Sequence, residues 1–120
     1  MQQAVTACVI VIGNEILSGR TQDTNLNHIA TTLGGWGIQV HHARVIPDDE
    51  DIIVNTINEV RTTYDYVFTT GGIGPTHDDI TAVCIAKAFA VPVIQHPEIA
   101  GRIRQRPAPD DIMASRLLMA

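Results

Sequence analysis

Apolar residues run unbroken from Ala7 to Ile12, inside the β-branched stretch Thr6–Ile12 (TACVIVI), and the run stops at Gly13. A strand without polar alternation is covered on both faces, which predicts a parallel sheet flanked by helices. After a polar loop, Gly13 to Gln22, the pair Asp23-Thr24 can cap a helix whose apolar residues Leu26, Ile29, Ala30 and Leu33 fall on one face. Gly34 and Gly35 stop it. Ile38 to Ile46 predicts a second strand, and Pro47-Asp48-Asp49 opens a helix to about Tyr64 with Ile53, Ile57 and Val60 inward. Its acidic first turn suits the helix dipole.

A third strand, Tyr66 to Thr70, leads into Gly71-Gly72-Ile73-Gly74-Pro75 and a helix from Asp78 or Asp79 to about Phe89. Pro92 to Gln95 reads as a short extended segment. Pro97 to Arg104 and Pro109 to Leu118 read as short helices around the breaker run Arg106-Pro107-Ala108-Pro109. Alternating strands and helices imply an open α/β sheet with right-handed crossovers and a ligand crevice at the carboxyl ends of the strands. Both unusual loops, Gly13 to Thr24 and Gly71 to Asp79, follow strands and so come to that one edge.

Composition narrows the classes of function. The 120 residues are 45% hydrophobic and 18% charged, which suits one folded domain and excludes general disorder. The net charge is −5, with no basic run to neutralise a phosphate backbone, so no nucleic-acid partner is expected. No apolar stretch is long enough to span a bilayer and Met1 to Thr6 has no basic leader, so no membrane partner and a cytoplasmic location are expected. Cys8 and Cys84 lie in apolar segments without zinc spacing and are expected to be reduced core thiols. His41 and His42 are adjacent on a strand, point to opposite faces and are read as structural; Trp36 is expected to pack on the core.

Gly71, Gly72 and Gly74 allow backbone amides to approach an anionic oxygen closely, and the start of the next helix adds a favourable dipole. Thr70, Thr76 and Thr81 bring hydroxyls nearby. Asp78 and Asp79 would repel a phosphate unless a divalent cation bridges them to it, which predicts Mg²⁺ or a similar metal. Either Asp could instead cap the helix. His77 could touch the ligand or face solvent. In the first loop, Glu15 and Asp23 can orient a base, ribose or metal, while Ser18 and Asn25 supply neutral hydrogen bonds; Asp23, Thr24 and Asn25 are equally ordinary capping residues. Arg20 could assist a phosphate or be solvated. There is no GxSxG, HExxH or P-loop pattern to support other chemistry.

IGNEILSGRTQDTN (Ile12 to Asn25) and TTGGIGPTHDDIT (Thr69 to Thr81) resemble the molybdopterin-binding domain superfamily. Within it the sequence is most similar to the amino-terminal domain of the competence/damage-inducible protein A family and to the molybdopterin-binding-like domain of FAD synthases. Pro75-Thr76-His77-Asp78-Asp79 separates this branch from the molybdenum-cofactor adenylyltransferases. The resemblance implies a three-layer α/β/α domain with a mostly parallel sheet, often a homo-oligomer, holding a pterin or nucleotide phosphate on the glycine loop. Gly13, Glu15, Gly19, Asp23, Asn25, Asp79 and Thr81 match motif positions, whereas Asn14 stands where relatives commonly have Asp. The family domain continues with a further strand and a Gly/Pro loop, so residues 1–120 are expected to be one domain without that closing segment. Deamidation of nicotinamide mononucleotide belongs to a separate domain and is not assigned.

The function expected is metal-dependent hydrolysis of a nucleotide pyrophosphate such as ADP-ribose or FAD. Asp79, Asp78 and Glu15 are the candidate catalytic residues, with Asp79 and Asp78 on Mg²⁺, Mn²⁺ or Co²⁺. Gly13, Glu15, Ser18, Gly19, Asp23, Asn25, Thr70, Gly71, Gly72, Gly74, Pro75, Thr76 and Thr81 would contact a dinucleotide or pterin. The alternatives are a module that binds molybdopterin or a nucleotide without turnover, and adenylyl transfer to molybdopterin.

Overall fold

The computed structural model describes residues 4–120. Strand β1 (Val5–Ile12) is central, with β2 (Ile38–Ile46) and β3 (Tyr66–Thr70) parallel on either side in the order β2-β1-β3. Every residue of β1 from Ala7 to Ile12 is buried, as its uninterrupted apolar run requires. An edge strand needs only one covered face, and β2 accordingly alternates: Val40, His42 and Arg44 are partly covered, whereas Gln39, His41 and Ala43 are exposed. The two histidines thus lie on opposite faces. A bulge sits beside them, because Ala7 pairs with Val40 and the next residue, Cys8, with His42.

Helix α2 (Asn25–Gly35) packs on β2 and buries Leu33. Helices α3 (Glu50–Val60) and α4 (Thr81–Ala88) pack together, and Ile53, Ile57, Val60 and Cys84 join Cys8, Ile10, Ile12 and Ile46 in the main core. Cys8 and Cys84 are free, buried thiols, and burial pushes both above the usual thiol range. Helices α5 (Pro97–Arg104) and α6 (Asp110–Leu117) pack chiefly on each other. No helix among the described residues is long and apolar enough to cross a membrane.

Several expectations need correction. The Gly13–Gln22 loop contains a single helical turn, α1 (Asn14–Leu17). Helix α3 ends at Val60, with turns through Tyr64, and α4 starts at Thr81 instead of Asp78 or Asp79. Pro92 to Gln95 forms no strand. Trp36 is 72% exposed: the turn after α2 passes through Gly37 at φ +80° and carries the indole outward.

Candidate functional site

Parallel strands that end level deliver their loops to one edge. Ile12 pairs with Ile46, and Val11 with Thr70, so residues 13 onward, 47 onward and 71 onward leave the sheet side by side. The Gly13 amide donates to the Ile46 carbonyl at 3.0 Å, holding the first loop over the end of β2. Asn14 and Asp48 then clasp each other: the Asn14 amide donates to Asp48 Oδ2 and the Asp48 amide to Asn14 Oδ1, both at 3.1 Å. The clasp sets the start of α1, and the Glu15 carboxylate lies across Gly13. Ser18 Oγ donates to the Glu15 carbonyl at 3.3 Å and accepts from Arg20 Nε at 3.1 Å.

The glycine loop is built from behind by Thr81, which is 1% exposed. Its hydroxyl donates to the Gly71 carbonyl at 2.8 Å and its amide to the Gly72 carbonyl at 3.1 Å. These two bonds satisfy the buried hydroxyl and use the first amide of α4. Gly71 and Gly72 have φ of +89° and +67°, and a Cβ on Gly71 would collide with the Ile12 carbonyl at the end of β1.

Asp79 folds back on its own loop. Its Oδ2 accepts from the Thr76 hydroxyl at 2.7 Å and the Thr76 amide at 3.0 Å, while its amide donates to the Thr76 carbonyl at 3.1 Å. The Thr76 hydroxyl and amide, with a smaller contribution from the Gly74 amide, hold the Asp79 carboxyl below the usual carboxylate range. No side chain caps α4, so the capping alternative fails for both Asp78 and Asp79; Oδ1 of Asp78 sits 3.1 Å from His77 Nε2 instead. Asp23 does act as a cap, accepting from the amides of Asn25 at 3.3 Å and Leu26 at 3.0 Å.

Two concavities flank Glu15. The larger, about 370 Å³, is lined by Asn14, Arg20, Asp48, Gly72, Asp78 and Asp79 among others. The smaller, about 220 Å³, lies against Thr70, Gly71, Asp23 and Asn25. The expected residues Glu15, Gly72, Asp78 and Asp79 therefore share one cleft, and Asp23, Asn25, Thr70 and Gly71 share its neighbour. Gly13, Ser18, Gly19, Gly74, Pro75, Thr76 and Thr81 line neither. Gly13, Ser18, Thr76 and Thr81 hold the loops through the bonds described above. Asp48 is the polar cleft residue that sequence reasoning missed. Its place in an acidic run before α3 marked it as a helix-opening residue, and only the register of β1 with β2 brings it to Asn14.

Comparison with known proteins gives the family and the fold. A family model described as a probable molybdopterin binding domain matches residues 8–119. A probable FAD synthase of Caenorhabditis elegans is 44% identical over 89 residues, covering 74% of this chain and 17% of that protein. A CinA-like protein of Syntrophotalea carbinolica is 35% identical over 102 residues, covering 85% of this chain and 25% of that protein. The chain thus spans a quarter or less of these two relatives. A crystal structure of CinA from Thermoplasma acidophilum superposes with a TM-score of 0.86 at 36% identity, over 98% of this chain and 69% of that one. MoaB of Thermus thermophilus shares the fold, with a TM-score of 0.64 at 21% identity over 92% of this chain and 69% of that one.

Proposed function

Because the chain belongs to the probable molybdopterin binding domain family, we propose that its cleft binds a nucleotide pyrophosphate such as ADP-ribose or FAD and hydrolyses it with a divalent cation. The observation that carries this reading is the meeting of Gly72, in a side-chain-free turn, with Glu15, Asp48, Asp78 and Asp79 around one cleft. The likeness to an FAD synthase lends support to a nucleotide ligand.

The carboxylates suit a hard cation that arrives with its phosphate. Among the described residues no three His, Cys, Asp or Glu side chains converge to hold a metal unaided. Asp78 and Asp79 supply oxygen donors at the cleft wall, and Mg²⁺ commonly takes one or two carboxylates with the remaining positions filled by phosphate and water. Such a cation, whether Mg²⁺, Mn²⁺ or Co²⁺, would neutralise phosphate oxygens as charge builds there.

The chain's own residues would do the rest. Gly71 and Gly72 form the positive-φ turn whose amides would stabilise phosphate charge, and a Cβ on either would displace that turn by striking the Ile12 carbonyl or the Thr81 hydroxyl. Of the two candidates for handling the attacking water, Glu15 would take its proton, because it lines the cleft while Asp23 is engaged in capping α2. In that displacement the new P–O bond forms from water, the bridging P–O bond breaks, and the departing phosphate keeps the electron pair.

Release of AMP from ADP-ribose and FAD, measured with each cation, tests the reading. Cation-dependent release, reduced at least about 100-fold in Asp79→Asn, is expected, within the loss typical for a residue that stabilises transition-state charge. Equal rates for the two proteins under saturating cation would overturn it. A second reading, binding of a molybdopterin or nucleotide without turnover, is favoured by the attachment of Asp79 to Thr76, which leaves only one carboxylate oxygen free of that turn. Calorimetric binding with no product from any cation would establish that reading. Self-association, which the family resemblance implies, belongs to the same proposal, and light scattering would measure it.

A further inference from the structure

We infer that Arg20 makes the cleft selective for diphosphates, its guanidinium taking the second phosphate of an ester whose first phosphate rests on the glycine loop. The inference builds on the reading of the cleft as a pyrophosphate site.

Charge sets the problem. Four carboxylates, Glu15, Asp48, Asp78 and Asp79, line the larger concavity, and the chain as a whole carries −5. Long-range attraction will not bring an anion there, so each phosphate needs a local positive partner. Among the described residues lining that concavity, Arg20 is the single arginine or lysine, and neither type lines the smaller one. A cation held by Asp78 and Asp79 would serve the phosphate on the glycine-loop side. Arg20 comes from the opposite loop and is free to serve the other.

Geometry then favours an arginine. Ser18 Oγ fixes Nε at 3.1 Å, and the same hydroxyl is tied to the Glu15 carbonyl at 3.3 Å, so α1 itself orients the guanidinium. Gly19, at φ +80°, makes the reversal that lets residues 18 and 20 meet in this way. Only Nε is engaged with Ser18, which leaves both terminal nitrogens to grip two phosphate oxygens as a fork. A lysine would present a point charge with no Nε for Ser18 and no fork.

The test is titration calorimetry of the whole chain with ADP-ribose and ADP as their non-hydrolysable methylene-bridged forms, and with AMP and adenosine, in saturating Mg²⁺, for the parent, Arg20→Gln and Arg20→Lys. Arg20→Gln is expected to weaken ADP-ribose and ADP by about tenfold or more, with AMP changed by less than about threefold and adenosine unchanged. Arg20→Lys should recover only part of the loss. Far-UV circular dichroism and thermal midpoint should match the parent, because Arg20 is exposed. An equal loss for all four ligands, or none for the diphosphates, would overturn the role of Arg20 while leaving the cleft as a nucleotide site. If the parent binds none of the four, the reading of the cleft fails and the inference with it.

Discussion

Gly71 and Gly19 both sit at positive φ, +89° and +80°, yet their surroundings differ. A Cβ at Gly19 would meet nothing within 4 Å, whereas one at Gly71 would strike the Ile12 carbonyl, a backbone atom of the central strand that cannot swing away. Gly19→Ala should therefore cost about 1–2 kcal/mol, the ordinary strain of an L-residue in the left-handed region. Gly71→Ala should cost clearly more and distort the edge where the cleft lies. Urea denaturation of the two variants checks this, and equal midpoints would show that β1 yields to the added methyl. At Asp79 the sign of the pH effect follows from its hydrogen bonds. Its folded carboxyl titrates below the ordinary value, so its hold on Thr76 is in force above the usual carboxylate range and is lost as pH falls through the lowered value. An NMR titration of the Asp79 carboxyl should place its midpoint below that of an ordinary aspartate, and Thr76→Val, which removes the largest cause of the shift, should move it upward. An unmoved midpoint would refute the hydroxyl's role.

At the scale of elements, patterns with a repeating period were legible and reversals of a single side chain were not. The helix over Asn25–Gly35 and the acidic entry to Glu50–Val60 follow from apolar spacing and a cap, and Asp49 does cap α3 by accepting from the Ile52 amide at 3.1 Å. The start of α4 escaped because Asp79 turned back to Thr76 instead of forward to the helix, a choice between two local bonds that residue type alone does not decide. The glycine loop was legible as a close approach, but the role of Thr81 as its buried support was not, since a threonine reads the same whether it faces a ligand or a carbonyl. Asp48 shows the same limit across elements: 34 positions separate it from Asn14, and their clasp exists only because β1 and β2 end level. Asn14→Ala removes only the acceptor of the Asp48 amide and Asp48→Ala only the acceptor of the Asn14 amide, so each should lower stability by about 1 kcal/mol and the double variant should lose close to the sum. Asp49→Ala should also cost about 1 kcal/mol and add to the loss caused by Asn14→Ala. Double-mutant cycles by chemical denaturation check both sums, and an Asn14→Ala/Asp48→Ala variant no worse than either single one would show that the two bonds form only together.

The whole molecule is longer than its residue count implies. Its radius of gyration is 16.2 Å with extents of 55 × 32 × 30 Å, against about 14 Å expected for a compact chain of this size. The excess fits a division of packing. The sheet with α2, α3 and α4 buries β1 completely, whereas α5 and α6 lean mainly on each other and are joined at their far ends by the His96 amide donating to the Ala120 carbonyl and Gln95 Nε2 to the Leu117 carbonyl. Ile99, Ile112, Leu118 and Met119 in and beside that helical pair remain well exposed, so it has less buried apolar area to hold it than the sheet does. Local stability tracks that area, and the two parts should open at different free energies. Hydrogen exchange followed by mass spectrometry is expected to show amides of 97–118 exchanging through a partial opening that leaves Ala7 to Ile12 protected, and limited proteolysis is expected to cut first within the irregular stretch 91–96. If the α5–α6 amides instead exchange as slowly as those of β1 and with the same denaturant dependence, the chain unfolds as one cooperative unit. Because the cleft is built by residues 14–80, the same partial opening should leave nucleotide binding intact, and binding that fell in step with exchange at 97–118 would show that the helical pair supports the cleft at a distance.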